Sequence, residues 1–209
     1  MKNVKSLLFS LAFTTLASST LFAADLTVAP GKAVELSCHR LERLVTLGKV
    51  EDSFLSKLSS LQITLLQPTK PTDPSYKVVA SQVAGADGSS KQVEMMLDAT
   101  GKGIAQNVKA GTEAQNAPVW SDKNAADLVE NSLHYILESN NADAKPFVSG
   151  LTSLKLIQVK NDQGQIMARV VMLSKDSAKK FEVTLKEDGT VDSANLIDNA
   201  PEATDSANL

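Results

Sequence analysis

Two histidines are the residues of this sequence best suited to metal binding or proton transfer. They occupy matching positions, because Ser37-Cys38-His39 and Ser132-Leu133-His134 both fall in stretches with helical spacing of apolar residues. A zinc site needs three or four ligands around the ion, and neither histidine has a second one at helical spacing. We therefore predict no metal site and no cofactor. His39 and His134 remain candidates of unknown role, with surface positions as the simpler interpretation.

The single cysteine and the single tryptophan are the other residues that could carry chemistry or binding. Cys38 lies on the apolar stripe of a predicted helix, where a thiol packs as a small apolar side chain. Its neighbour His39 points about 100° away around the helix, so the two do not form a nucleophile and base pair. No disulfide can form within the chain, and a dimer linked through Cys38 is not expected. Trp120 either covers the start of the second long helix or marks a binding surface.

Sequence motifs of common catalytic sites are not found. There is no Gly-x-Ser-x-Gly elbow, no His-Glu-x-x-His pair and no phosphate-binding loop, since Gly101-Lys102-Gly103 lacks the upstream glycine. We therefore predict no catalytic residues. An enzyme whose active-site residues are dispersed in the sequence stays open as an alternative.

The amino terminus has the order of a signal peptide. Lys2 and Lys5 precede the apolar stretch Leu7–Leu16, and small residues follow up to Ala24. The apolar stretch is shorter than the roughly 20 residues of a membrane-spanning helix. We predict that residues 1–24 are removed, and that the mature chain is periplasmic or extracellular without a membrane span.

Charge argues against nucleic acid as a partner. Cleavage would remove two of the 21 basic residues and none of the 24 acidic ones, which changes the net charge from -3 to -5. Phosphate binding needs a clustered basic surface, and the charges here are spread along the chain.

The spacing of apolar residues predicts an α+β fold made of two similar units. In the first unit, residues 25–110, the pattern predicts a helix, a short second helix over residues 51–58, and a meander of strands. A linker, residues 111–121, leads to the second unit, residues 122–198, which repeats the same order of elements. Residues 199–209 are predicted to be a disordered tail.

Matching residues in the two units indicate an internal duplication. Phe54, Leu58 and Leu61 match Phe147, Leu151 and Leu154 at a constant offset of 93, and the glycine of one hairpin turn, Gly101, matches Gly189. Each unit is therefore expected to pack its helices on a meandering antiparallel sheet.

The first unit resembles PepSY-type domains. The resemblance rests on an amphipathic helix, the step Gly48-Lys49-Val50, and a last hairpin turn similar to Asp-x-x-Thr-Gly-Lys, here Asp98-Ala99-Thr100-Gly101-Lys102 with one residue fewer between Asp and Thr. It implies a non-catalytic exported module, a class associated with peptidase inhibition or with binding at the cell envelope. In the second unit the turn survives only as Glu187-Asp188-Gly189-Thr190.

The sequence is compatible with three functions. The first is a non-catalytic module of the cell envelope that binds a protein or peptide through strand edges or an open sheet face. The second is an envelope hydrolase with dispersed active-site residues. The third is a carrier of a small apolar ligand, which would need a cavity between helices and sheet.

Overall fold

The computed structural model describes residues 27–85, 87–111, 122–175 and 177–198, and only the backbone of residues 122 and 123. The predicted signal peptide, the predicted tail, Trp120 and nearly all of the predicted linker lie outside the described residues. The helices are α1 (Pro30–Thr46), α2 (Asp122–Glu138) and α3 (Ala144–Ser149). The strands are β1 (Leu58–Leu65), β2 (Tyr76–Gln82), β3 (Lys91–Leu97), β4 (Gly103–Ala110), β5 (Leu151–Lys160), β6 (Ile166–Ser174), β7 (Lys179–Leu185) and β8 (Val191–Asp198).

All eight of these strands belong to one antiparallel sheet, in the order β4-β3-β2-β1-β5-β6-β7-β8. Each set of four consecutive strands is a meander, and the first strands of the two meanders pair at the centre of the sheet. The α+β class predicted from the sequence is confirmed. The strands form one continuous sheet rather than a separate sheet for each half.

The central pairing has a regular register. Leu61 lies opposite Leu156, Gln62 opposite Lys155, and Ile63 opposite Leu154. Gln62 and Lys155 are 93 positions apart, which is also the distance in sequence between Phe54 and Phe147.

Helix α1 follows from its sequence at both ends. Pro30 is at the first helical position, where its missing N–H removes no hydrogen bond. Gly48 adopts a φ of 64°, and its N–H donates to the carbonyl of Val45, which ends the helix. A Cβ added at Gly31 would lie 2.5 Å from Glu130 Oε1, so α1 meets the Glu130 side chain of α2 at this glycine.

The core lies between one face of the sheet and the helices. Ser37 on α1 and Ser132 on α2 are fully buried, and each hydroxyl donates to a carbonyl of its own helix, that of Ala33 or of Leu128. Phe147 of α3 makes an edge-to-face contact with Phe181 at 4.8 Å between ring centroids. The strands contribute inward side chains at alternate positions, including Leu61, Ile63, Val78, Met95, Leu156, Val170 and Val183.

The short helix predicted over residues 51–58 is replaced by a single 3₁₀ turn, Leu55–Lys57, and β1 already begins at Leu58. An isolated helix of this length is marginal, and pairing in the sheet supplies stronger partners for the backbone. Leu58 pairs with Gln82 through a β-bulge, and the Ser59 hydroxyl donates to the carbonyl of Ser81.

The hairpin turn predicted between β3 and β4 is present. Asp98 Oδ1 accepts hydrogen bonds from the backbone N–H groups of Thr100 and Lys102, at 2.9 and 3.0 Å. Gly101 has a φ of 80°, a conformation that favours glycine. The side chain of Leu36 on α1 lies directly against this glycine, so the turn is also a contact point for the helix.

Candidate functional site

Both candidate histidines lie on exposed helix faces. The His39 side chain is 65% exposed, and its Nδ1 lies 3.3 Å from Glu42 Oε2. The His134 side chain is 73% exposed, and its Nδ1 lies 3.1 Å from Glu138 Oε2. Each histidine therefore pairs with a carboxylate of its own helix. Within the described residues, no group of three or more His, Cys, Asp or Glu is arranged to hold a metal ion.

The Cys38 side chain packs in the core, as its helical position predicts. It is 4% exposed, beside Val34 and Leu41 on the apolar stripe of α1. The thiol is therefore not presented to a second chain. Trp120 lies outside the described residues, so both interpretations of it, as a cover for the start of α2 or as part of a binding surface, stay predictions.

A polar cluster around Glu51 fixes the loop between α1 and β1. Glu51 Oε1 accepts a hydrogen bond from Gln82 Nε2 at 2.6 Å, and Lys91 Nζ donates to Glu51 Oε2 at 2.5 Å. The hydrogen bond from Lys91 contributes most, and that from Gln82 next, to lowering the pKa of Glu51 to about 2. A carboxylate that is ionised and paired in this way is a poor general acid or base near neutral pH, so the cluster is a structural tie.

Tyr76 is the largest fully buried side chain on β2. Burial raises the pKa of its hydroxyl most, and the nearby charge of Asp98 raises it further. The phenol therefore stays neutral in the core. Tyr76 lies opposite Leu65 in the pairing of β1 with β2. Gln158 follows Leu65 by 93 positions, and it lies opposite Ala168 of β6. The second half therefore has a much smaller side chain where the first half has a tyrosine.

A cleft of about 1280 Å³ lies near that position of the second half. Its walls come from α2, the β5–β6 hairpin and the β7–β8 turn, and include Leu128, Gln158, Ala168, Asp188 and Asp192. A hydrogen bond from Thr190 lowers the pKa of Asp188, and Asp192 Oδ1 lies 3.9 Å from Lys186 Nζ. These carboxylates serve turn and ion-pair contacts, and the lining that the described residues form has no histidine, cysteine or serine to act as a nucleophile or base.

The face of the sheet opposite the helices, here called the open face, is formed by the strand residues that alternate with the core positions. Three adjacent rows cross it through the paired strands. Its half-exposed aliphatic side chains are Val79, Met96, Ile157, Val159, Val171 and Leu173, and its charged side chains are Lys77, Glu94, Lys109, Lys155, Arg169, Lys180 and Glu182. Aliphatic and charged groups are mixed there, and Arg169, of a residue type enriched in protein interfaces, lies among them.

No motif in the sequence marks this surface. Alternation within each strand does assign Lys155 and Arg169 to the face away from the core. Only the pairing of β5 with β6 shows that they are neighbours, because Arg169 lies opposite Ile157, two residues after Lys155.

Comparison with known proteins gives no family for this chain. No family model matches the sequence, and no curated protein matches it, so the resemblance to PepSY-type domains stays a prediction. Among solved structures, the chain is similar to a crystal structure described as a "putative lipoprotein" from Clostridium difficile 630. The sequence identity is 12%, the TM-score is 0.37, and the match covers 84% of this chain and 97% of the other.

No helix of the described residues is both long and apolar enough to cross a bilayer.

Proposed function

We propose that this chain is an exported, non-catalytic module of the cell envelope that binds a protein or peptide on the open face of its sheet. The observation that carries the proposal is the difference between the two faces. One face is filled by buried side chains under α1, α2 and α3, whereas the other presents Val79, Val171 and other aliphatic groups at partial exposure. These aliphatic groups stand among polar ones, since Gln62 and Lys155 lie between Val79 and Val171 in one row of the sheet, and no described helix covers them.

The composition of the open face favours binding over catalysis. Its side chains are aliphatic, hydroxyl, amide, lysine, arginine and glutamate groups, without a described histidine or cysteine. Its glutamates Glu94 and Glu182 each have a lysine within 3 Å. Paired glutamates of this kind are poor proton carriers, whereas arginine and methionine, both present on this face, are enriched in protein interfaces.

The proposal includes an internal duplication, with residues 25–110 and 122–198 as the two units. Three features support it: the repeated order of elements, the matching buried serines Ser37 and Ser132, and the central register in which Gln62 lies opposite Lys155. Two copies of one meander, joined through their first strands, would give a sheet with twice the width and one continuous open face.

Export is the part of the proposal that rests on the amino-terminal sequence. Residues 1–24 combine basic, apolar and small residues in the order of a signal peptide. An envelope location is also what the resemblance to PepSY-type domains implies. Pulse labelling of the expressed chain in a bacterial host should show loss of about two dozen residues on export, and retention of the full length would contradict this part.

Site-specific photo-cross-linking tests the binding surface. A benzophenone side chain would replace Val171, at the centre of the open face, and in a matched control it would replace Lys145, an exposed residue of α3. Each labelled chain is irradiated in envelope extract of its source organism. We expect a discrete adduct from position 171 that excess unlabelled wild-type chain removes.

Competition with a variant makes the result specific for the open face. Excess Val171→Asp chain, shown by circular dichroism to be folded, should fail to remove the adduct, because a carboxylate at the centre of the contact is costly to bury. The proposal is wrong if this variant competes as well as the wild type, or if positions 145 and 171 give the same adducts.

A further inference from the structure

We infer that the partner of the open face is an acidic segment of a protein or peptide, with Arg169 at the centre of the contact. The inference rests on the proposed function, since it names the chemistry of the surface that the open face would bind. Its basis is a difference in charge between the face and the chain. The whole sequence has a net charge of -3, whereas the described open face carries Lys77, Lys109, Lys155, Arg169 and Lys180 against Glu94 and Glu182.

Both glutamates of the open face already have cationic partners. Glu94 Oε1 lies 2.8 Å from Lys109 Nζ and 3.8 Å from Lys77 Nζ, and Glu182 Oε1 lies 2.9 Å from Lys180 Nζ. The hydrogen bond from Lys109 lowers the pKa of Glu94, so this group stays ionised near neutral pH. The acidic groups of the face therefore do not balance its positive charge.

Arg169 is the basic residue best placed to anchor a partner. It is half-buried on β6, between Ile157 of β5 and Thr184 of β7, and Val171 follows on the same face of its own strand. Within the described residues its guanidinium makes no hydrogen bond or ion pair. An arginine surrounded by aliphatic groups is a common centre of binding energy, because the neighbours exclude water from its hydrogen bonds.

A carboxylate is the group that fits this position best. The guanidinium offers parallel N–H donors that match the two oxygens of a carboxylate, and bonds between ionised groups are about twice as strong as neutral ones. Ile157 and Val171 would then contact aliphatic side chains beside that carboxylate. The combination describes an acidic protein segment that also contains aliphatic residues.

Nucleic acid and anionic lipid fit the open face less well. Single-stranded nucleic acid binds by stacking bases on aromatic side chains, and the described strand residues of this face include none. Anionic membranes attract uninterrupted clusters of basic residues. Here Glu94 and Glu182 lie among the basic residues, which breaks such a cluster.

Selection from a random dodecapeptide library displayed on phage tests the inference. The bait is the chain without residues 1–24, and bound phage are eluted with excess soluble chain. We expect Asp and Glu to outnumber Lys and Arg in the selected peptides. A selected peptide should bind the Arg169→Gln variant about tenfold more weakly or worse, because hydrogen bonds to charged groups are among the stronger ones.

A matched control removes the same charge from the other side of the sheet. Lys160 ends β5 and is exposed, but its side chain belongs to the alternate set of strand positions. The Lys160→Gln variant should bind the peptide within about twofold of the wild type, as an exposed charge away from the contact would. The Arg169→Lys variant keeps the charge without the bidentate geometry and should fall between these two.

The possible results separate this inference from the proposed function. Selected peptides that lose binding to Val171→Asp but show no excess of acidic residues overturn the acidic partner and leave the open face as a binding site. Peptides that are insensitive to both Val171→Asp and Arg169→Gln overturn the proposed function as well. A thymidylate oligonucleotide or phosphatidylglycerol vesicles that bind as tightly as the selected peptides, with the same loss in Arg169→Gln, overturn the assignment to a protein. Urea unfolding of every variant checks that binding is compared between folded chains.

Discussion

The contact between α1 and the β3–β4 turn can be tested with two glycine substitutions. Gly101 and Gly164 occupy turns with the same hydrogen bonds: each glycine N–H donates to the carbonyl three residues earlier, at 3.0 and 2.9 Å. Their φ angles are 80° and 77°. They differ in surroundings, because a Cβ at Gly101 would lie 3.0 Å from Leu36 Cβ, whereas a Cβ at Gly164 would have nothing within 4 Å.

Because of this difference, we expect the two alanine variants to lose different amounts of free energy of unfolding. Gly164→Ala should lower the free energy of unfolding by about 1–2 kcal/mol, which is the cost of the left-handed conformation for an L-residue. Gly101→Ala should cost the same amount plus about 1–3 kcal/mol for overpacking. Leu36 cannot relieve the contact by changing its rotamer, because its Cβ is fixed to the helix backbone, so α1 itself must shift.

Urea unfolding followed by circular dichroism measures both values on the same scale. In a chain of this size, about 1 kcal/mol corresponds to a change in Tm of about 2–4 °C, so thermal scans give a second estimate. Leu36→Ala in the Gly101→Ala background should recover part of the extra loss, since it removes the more distal clashing atoms of the side chain. Equal losses for Gly101→Ala and Gly164→Ala would refute the close packing of α1 on this turn.

Three further predictions concern titration, thiol reactivity and metal binding. The pKa of Glu51 is lowered from 4.5 to about 2 in the folded chain, so its contribution to stability is present above pH 4.5 and is lost as pH falls towards 2. Urea unfolding from pH 7 to 2 should therefore show the difference between the wild type and Glu51→Gln shrinking in that window, and a constant difference would contradict the lowered pKa. Cys38 should react with a thiol reagent only as fast as the chain opens and should run as a monomer on non-reducing gels, whereas rapid labelling would show that the thiol is not in the core. Added Zn²⁺, Cu²⁺ or Ni²⁺ should leave Tm unchanged, and an increase that His39→Ala or His134→Ala abolishes would show a metal site.

The sequence predicts the long helices and most strands because their signals are local. Helix α1 has apolar residues three and four positions apart, from Val34 to Leu44, and these are the residues that the structure buries. In β7, Phe181, Val183 and Leu185 alternate with polar residues, and all three are buried. The turn at Gly101 was also predictable, because few residue types other than glycine adopt its φ angle.

The joining of the two meanders could not be predicted in the same way. Nothing in β1 specifies β5 as its partner, since both strands have the alternating pattern of any half-buried strand. The same limit applies to the open face. Alternation places Arg169 away from the core, but its neighbour Ile157 is twelve positions away in the sequence and becomes adjacent only through strand pairing.

The pairing of β1 with β5 makes the open face a property of the whole chain rather than of either half. Gln62 and Lys155 lie opposite each other at the centre, so each meander covers the hydrogen-bonding edge that the other would expose at its first strand. A single half would leave that edge unpaired, and unpaired edges associate with other chains. One row of the open face includes Lys109 on the first meander and Arg169 on the second. A partner that contacts both residues therefore binds a surface that exists only when the two halves are joined.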